Sequence, residues 1–163
     1  HRAMKTLAQA KARFEAYGRE MERHLQRLRY AWTQLGGPRP LTEQAVRALM
    51  EQPSQVALLD QIVYRFAKMQ DALGRMLRWW LYLKGEPVES MSMIDMVNQA
   101  ARLGLPIDEE TWFKLRELRN VLAHEYEEDP ASIAQVLNQI TEAQETLGRL
   151  FEAMKRDRNA SAS

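Results

Sequence analysis

Arg119, Asn120, His124 and Tyr126 fall within eight consecutive residues of the chain. The arginine offers a fixed fork of hydrogen-bond donors that suits phosphate oxygens. The histidine can take or give a proton near neutral pH, and the amide can hold a phosphate or ribose oxygen or orient the imidazole. These residue types predict chemistry at a phosphate group. Cleavage of an RNA strand there would need no metal ion if the ribose 2′-hydroxyl of the RNA is the nucleophile.

Helical spacing limits how these side chains can act together. Asn120 and His124 are four residues apart and share a neighbouring direction on a helix. Arg119 and His124 differ by roughly 140° around the axis, so they meet at one ligand only if the arginine sweeps around the helix or if two subunits share a site. A structural interpretation stays open, because an arginine and a histidine near a helix end also complement the helix dipole.

Acidic residues surround the histidine in sequence. They are Glu125, Glu127, Glu128 and Asp129. Nearby carboxylates favour the charged form of an imidazole, and they also repel an RNA backbone, which argues against an exposed RNA surface at this point.

Apolar residues recur every three or four positions over most of the chain, a pattern that predicts helices and no strand. The predicted helices cover 4–35, 42–52, 55–84, 93–103, 108 to before 130, and 130–156. N-caps are predicted at Thr42, Ser92, Asp108 and Asp129. The pattern indicates an all-α fold, an antiparallel helical bundle of about four major helices plus short helices.

The domain boundaries follow from the same pattern. We expect residues 1–3, ahead of Met4, to be a cloning remnant that is not part of the fold. Residues 4–156 are expected to form a single helical domain, and the small polar residues 157–163 a flexible tail. Pro53 is expected to close the second helix, and Ser54 to cap the third.

Composition excludes several classes of function. The chain has 163 residues, 45% of them hydrophobic and 28% charged, which is enough for one domain with a core. Cysteine is absent and only three histidines occur, which excludes disulfides and thiolate catalysis and argues against a metal centre. The net charge of +1 does not indicate a nucleic-acid-coating protein. With no apolar run of about 20 residues and no secretory signal, we expect a cytoplasmic protein that does not associate with membranes.

The apolar end of the third predicted helix and His24 can each be interpreted in more than one way. The segment 79–83 is apolar on almost every side, and such helices are normally buried. Burial against a second subunit and a wide internal contact both stay open, and stacking of its aromatic rings on bases is the weakest interpretation. His24 lies one position from an apolar stripe, which favours a solvated or packing histidine over a functional one.

Arg119, His124 and Tyr126 resemble the R-x4-H-x-Y motif of the HEPN superfamily, in particular the HepT-type toxins and related nucleotidyltransferase-associated proteins. The segments Leu115-Arg116-Glu117-Leu118 and Tyr64-Arg65-Phe66 carry the same resemblance. It covers roughly residues 54–151, which leaves residues 4–53 as an N-terminal helical extension.

The resemblance implies an all-helical homodimer whose two motif helices face each other, and a metal-independent ribonuclease toxin without a cofactor. Arg119 and His124 would be the catalytic pair, with Asn120 at the polar position that often follows the arginine. Tyr126 would be the tyrosine to which a partner MNT-type nucleotidyltransferase antitoxin adds AMP, and a bulky negative group there would block the substrate phosphate. The implied partners are RNA, this antitoxin and a second copy of the chain, with no DNA and no membrane.

Two other functions remain open. One is a non-catalytic HEPN subunit that binds a nucleotidyltransferase or its nucleotide substrate. The other is a helical interaction protein in which the motif is incidental.

Overall fold

The structure, a computed structural model, describes residues 6–124 and 129–162. Within these ranges all regular structure is helical: α1 (Leu7–Leu35), α2 (Glu43–Met50), α3 (Pro53–Leu83), a 3₁₀ turn (Val88–Ser90), α4 (Met93–Arg102), α5 (Glu109–His124) and α6 (Pro130–Ala162). The prediction of an all-α helical bundle is confirmed. None of the helices in these ranges combines the length and the apolarity that crossing a membrane requires.

The helices α1 and α3 form the centre of the bundle and run antiparallel. His24 on α1 contacts Arg65, whereas Tyr17, nearly two turns earlier, lies beside Arg75 further along α3. Both helices bury an apolar stripe in one hydrophobic cluster that includes Met21, Leu25, Leu28, Leu59, Ile62, Phe66, Leu73 and Leu77. Because burying such a side chain contributes about 1.5–3 kcal/mol, α1 is a main source of the core's stability.

Four of the five predicted N-caps are confirmed, and they fix where their helices begin. Side-chain oxygens of Thr42, Ser92, Asp108 and Asp129 each accept a hydrogen bond from the backbone N–H three residues later. At the start of α4 the bond is reciprocal, because the Asp95 carboxylate also accepts from the Ser92 backbone N–H. With Asp108 as its cap, α5 begins at Glu109 and sets the register of the motif residues.

The boundary at Pro53 differs from the prediction. Pro53 is the first residue of α3 and Gln52 is its N-cap, so Pro53 does not close α2 and Ser54 lies inside the helix instead of capping it. A proline suits the first turn, because no hydrogen bond is lost there and its fixed φ is already helical. The preceding helix ends earlier, at Met50.

In place of the flexible tail predicted over 157–163, α6 continues through Ala162, and Ser163 lies outside the described residues. Asp157 accounts for the difference. Its carboxylate accepts a hydrogen bond from Trp80 Nε1 at 2.9 Å and another from Lys84 Nζ at 3.0 Å, both on or next to the end of α3. Earlier on α6, the Gln144 Oε1 accepts from Trp32 Nε1 of α1 at 2.9 Å. Two indole groups therefore fasten α6 to both central helices.

The apolar end of α3 is partly explained by this packing. Trp80 and Leu81 are buried, whereas Trp79, Tyr82 and Leu83 are only partly buried. Trp79 and Tyr82 meet edge to face, with ring centroids 5.7 Å apart. A wide internal contact accounts for the buried half of the segment.

Candidate functional site

Arg119, Asn120 and His124 lie in the last two turns of α5. The opposite side of this helix supplies buried residues to the core: Trp112, Leu115, Leu118 and Leu122. Packing on that side leaves Arg119 half-buried and Asn120 exposed. His124 is the last residue of the helix, one turn after Asn120, and Tyr126 lies outside the described residues.

Arg119 reaches from α5 to α3. Its Nη2 donates a hydrogen bond to Asp71 Oδ2 at 3.3 Å, and about a third of each side chain stays exposed, 35% for Arg119 and 39% for Asp71. An ion pair this open to water contributes at most about 1 kcal/mol. The guanidinium is therefore oriented by the carboxylate and yet remains accessible to an anion.

A cleft of about 280 Å³ opens beside Asp71, between α3, α4 and α5. We call it the α3–α4–α5 cleft, and its lining residues are Gln70, Asp71, Gly74, Arg75, Arg78, Met93, Met96 and Trp112. Arg75 is exposed and Arg78 half-buried. Arg75 and Arg78 line the cleft and Arg119 pairs with Asp71 beside it, so three arginines and one carboxylate lie at or next to the cleft, a charge balance that attracts anions.

Gln70 is one of two buried polar or charged residues among those the structure describes, with 7% of its surface exposed. Its Nε2 donates to the backbone oxygen of Leu115 at 3.1 Å, whereas its Oε1 has no hydrogen-bond partner within the described ranges. In sequence, Gln70 occupies a core position of the α3 stripe between Phe66 and Leu73. A polar residue at that position is the signal from which the sequence alone could have indicated it.

His24, the other buried polar residue of these ranges, lies between α1 and α3. Its Nε2 is 3.1 Å from Glu20 Oε2, and its Nδ1 is 3.0 Å from Arg65 Nη1. Because a guanidinium only donates, Nδ1 must accept and the ring proton must lie on Nε2, facing Glu20. Both ring nitrogens are occupied, which agrees with a packing role for this histidine and leaves it unsuited to proton exchange with a substrate.

Asp129 is the first described residue after the motif, and its carboxylate is charged. Hydrogen bonds from Ser132, from its hydroxyl first and then from its backbone N–H, hold the pKa of the Asp129 carboxyl below its usual range. This carboxylate therefore stays charged at neutral pH, and it caps α6 five residues after His124. The other acidic residues that the sequence places here, Glu125, Glu127 and Glu128, lie outside the described residues.

The structure thus brings Arg119 together with Asp71, a partner 48 residues away that the sequence did not indicate. The meeting of Arg119 with His124 in one site stays a prediction. Among the residues that the structure describes, no three histidine or acidic side chains are grouped so that they could hold a metal ion. No family model matches the chain, and no curated protein or solved structure matches it either.

Proposed function

We propose that this chain is a HEPN-type, metal-independent endoribonuclease, the toxin of a toxin–antitoxin pair in which a nucleotidyltransferase antitoxin adds AMP to Tyr126. The observation that carries the proposal is the state of Arg119. Its guanidinium is half-exposed, is oriented by a single carboxylate, and adjoins a cleft lined by two further arginines. The order of Arg119, Asn120 and His124 along one helix of an all-α bundle supports the same function.

In the proposed reaction, His124 removes the proton from a ribose 2′-hydroxyl, and the 2′-oxygen attacks the adjacent phosphorus. The bond from phosphorus to the 5′-oxygen breaks, and that oxygen takes a proton as it leaves. The products are a strand ending in a 2′,3′-cyclic phosphate and a strand beginning with a 5′-hydroxyl. Arg119 stabilises the charge that develops on the phosphate oxygens, and Asn120 holds a phosphate or ribose oxygen.

His24 supports the assignment of the proton transfer to His124. Both of its ring nitrogens are hydrogen-bonded, to Glu20 and Arg65, and it is buried between two helices. A proton acceptor has to lie within hydrogen-bonding reach of the substrate. His24 therefore offers a matched control for His124 within the same chain.

The test is cleavage of a varied set of RNAs in the presence of a metal chelator. We expect cleavage by the native chain, a loss of about 10²–10⁴-fold in His124→Ala, and a comparable loss in Arg119→Ala. His24→Gln should keep activity, because its amide can accept from Arg65 and donate to Glu20. Cleavage that persists in His124→Ala, or an absence of cleavage across the whole RNA set, would falsify the proposal.

Regulation through Tyr126 is tested separately, by intact mass after co-expression with a nucleotidyltransferase. We expect the mass to rise by one AMP group in the native chain and to stay constant in Tyr126→Phe. The modified chain should cleave no RNA, because the added phosphate repels the substrate. An unmodified native chain, or a modified chain that still cleaves, contradicts this part of the proposal.

The second candidate is a non-catalytic HEPN subunit that binds a nucleotidyltransferase or its nucleotide substrate. The ion pair between Arg119 and Asp71 favours the docking of a nucleotidyltransferase, because the carboxylate already engages the arginine that a substrate phosphate would need. Growth on induction of the chain alone separates the two functions. Slower growth with the native chain than with His124→Ala supports the toxin, and equal growth supports the binding subunit.

A further inference from the structure

We propose that the α3–α4–α5 cleft is a nucleobase subsite, which selects a base with an exocyclic amino group next to the phosphate held by Arg119. This inference rests on the proposed function for its phosphate, and it adds to that function a substrate preference. Three observations carry it: a buried acceptor without a partner, the shape and lining of the cleft, and the arginines at its rim.

The buried acceptor is Gln70 Oε1. The amide cannot rotate to give this atom another partner without breaking the hydrogen bond that Nε2 donates to the backbone oxygen of Leu115. An acceptor buried without a partner in the described part of the protein is uncommon. Because Gln70 lines the cleft, a small shift of its side chain would let a donor bound there satisfy this oxygen. The exocyclic amino groups of adenine, cytosine and guanine are such donors, whereas uracil presents carbonyl oxygens in their place.

The lining of the cleft suits a flat ring. Trp112 and Met96 are buried walls, and Met93 is partly buried beside them. Aromatic and thioether side chains make favourable contacts with planar rings. The cleft volume of about 280 Å³ is just below the range usual for a drug-sized ligand, and it has room for one planar ring system.

The rim of the cleft suits the phosphate that this ring carries. Arg75 and Arg78 lie nearly one turn apart on α3, and neither forms an ion pair with any residue in the described ranges. Arg75 lies only loosely beside the Tyr17 ring, 5.9 Å from its centroid. Their guanidinium groups are free to bind phosphate oxygens, and Asp71 links the same rim to Arg119.

Gly74 lines the cleft, so a side chain at this position begins inside it. A Cβ there would lie 3.6 Å from Met93 Cε and 3.9 Å from Trp112 Cη2, which are ordinary contacts, and the larger side chain of Gly74→Leu would extend from that point. Gly148 is the control inside a helix, because it is half-buried and a Cβ there meets no atom within 4 Å. Comparing Gly74→Leu with Gly148→Leu separates filling of the cleft from the general effect of replacing a helical glycine.

The first experiment measures calorimetric binding of AMP, CMP and UMP to the full chain. We expect AMP and CMP to bind at least about tenfold more tightly than UMP, a difference of about 1.4 kcal/mol. This preference should disappear in Gly74→Leu and in Gln70→Leu, and it should persist in Gly148→Leu. Equal binding of the three nucleotides, or a preference that survives in Gly74→Leu, overturns the subsite.

The second experiment distinguishes an RNA base from a free nucleotide. RNAs that differ only in the base beside the cleaved bond should be cut faster when that base is adenine or cytosine than when it is uracil. Gly74→Leu should cleave all of them at similar rates. Base-selective nucleotide binding without base-selective cleavage overturns the assignment to RNA. If the chain cleaves no RNA but binds AMP and CMP through a cleft that Gly74→Leu fills, the ribonuclease proposal fails and the selectivity of the cleft stands.

Discussion

The Arg119 guanidinium forms an ion pair with Asp71 and is also accessible to a substrate phosphate. Its hydrogen bond to Asp71 is long, at 3.3 Å, and both side chains remain accessible to solvent. Such a pair orients the guanidinium more than it stabilises the fold. A substrate phosphate that reaches Arg119 has to displace this carboxylate or share the arginine with it.

Replacing Asp71 with asparagine should therefore strengthen RNA binding. Asp71→Asn keeps an oxygen acceptor for Arg119 and removes the competing charge. Since exposed pairs contribute about 0.2–1 kcal/mol, we expect the KM for RNA to fall by at most about fivefold, with the free energy of unfolding nearly unchanged. Steady-state cleavage assays and urea unfolding measure the two quantities.

Glu110→Gln is the control for this change, because Glu110 forms a more exposed ion pair with Lys114 at the start of the same helix and loses the same charge. A KM that rises in Asp71→Asn would show that the carboxylate holds the arginine in its productive position. A similar fall in KM in both variants would point to net charge and not to Arg119.

At the scale of the helices, aspartate carboxylates cap the N-termini of the three helices α4, α5 and α6. Asp108 caps α5, Asp129 caps α6, and Asp95 completes the reciprocal cap of α4. Hydrogen bonds from backbone N–H and side-chain groups at these caps lower the pKa of all three carboxyl groups. Each helix start is therefore stabilised by the ionised form of its carboxylate.

These caps predict a loss of stability in acid. Because the pKa of each carboxyl is lower in the folded than in the unfolded chain, its contribution is fully present above the unfolded pKa of about 3.9. The contribution is lost as the pH falls through the lower, folded value. Urea unfolding between about pH 6 and pH 2 should show the free energy of unfolding falling below about pH 4. Asp129→Asn should reduce this slope, because asparagine caps the helix equally well and does not titrate. An unchanged slope in Asp129→Asn would contradict the role given to this carboxylate.

The helices and most of their ends could be predicted from the sequence, because apolar spacing and capping residues are local signals. Pro53 shows where local signals become ambiguous, since a proline can follow one helix or open the next. The last turns of α6 escaped prediction because their support is the contact of Asp157 with Trp80, far away in sequence. In the site, the motif was visible as a short pattern, whereas Asp71 and Gln70 gain their roles only from the packing of α3 against α5.

For the molecule as a whole, α6 closes the bundle by contacting both central helices. Asp157 makes one of these contacts near the end of α6, and its carboxylate joins the indole of Trp80 to the ammonium group of Lys84. The N-terminal region 4–53, which the resemblance sets apart as an extension, supplies α1 to the same core. Removing it would expose the buried face of α3.

Asp157→Ala should weaken the whole fold and loosen its last turns. It leaves the partly buried Trp80 Nε1 without its charged acceptor, so we expect the free energy of unfolding to fall by about 1–3 kcal/mol. Hydrogen exchange over 157–162 should accelerate. Asp157→Asn, which retains an acceptor for the indole, should cost less. Equal losses in both variants would assign the effect to the Lys84 ion pair.

A pairing of two motif helices, as the resemblance implies, predicts a role for Phe113. This ring is 44% exposed on α5, two turns before Asn120. We expect the native chain to be a dimer by light scattering, and Phe113→Glu to raise the dimer dissociation constant at least about tenfold, because a twofold interface loses the ring from both copies. Tyr30→Glu, at an exposed aromatic residue of α1, is the control. A native chain that stays monomeric at tens of micromolar would count against a site shared between two copies.

The two indole contacts also allow changes in α6 to be monitored through the N–H signals of the tryptophans. The side-chain N–H protons of Trp32 and Trp80 are hydrogen-bonded to Gln144 and Asp157, one in the middle of α6 and one near its end. In a nuclear magnetic resonance spectrum of this four-tryptophan chain, each of these signals monitors a different segment of α6. Addition of AMP to Tyr126, or binding of RNA, can then be followed as a shift of one signal, the other or both, without any label.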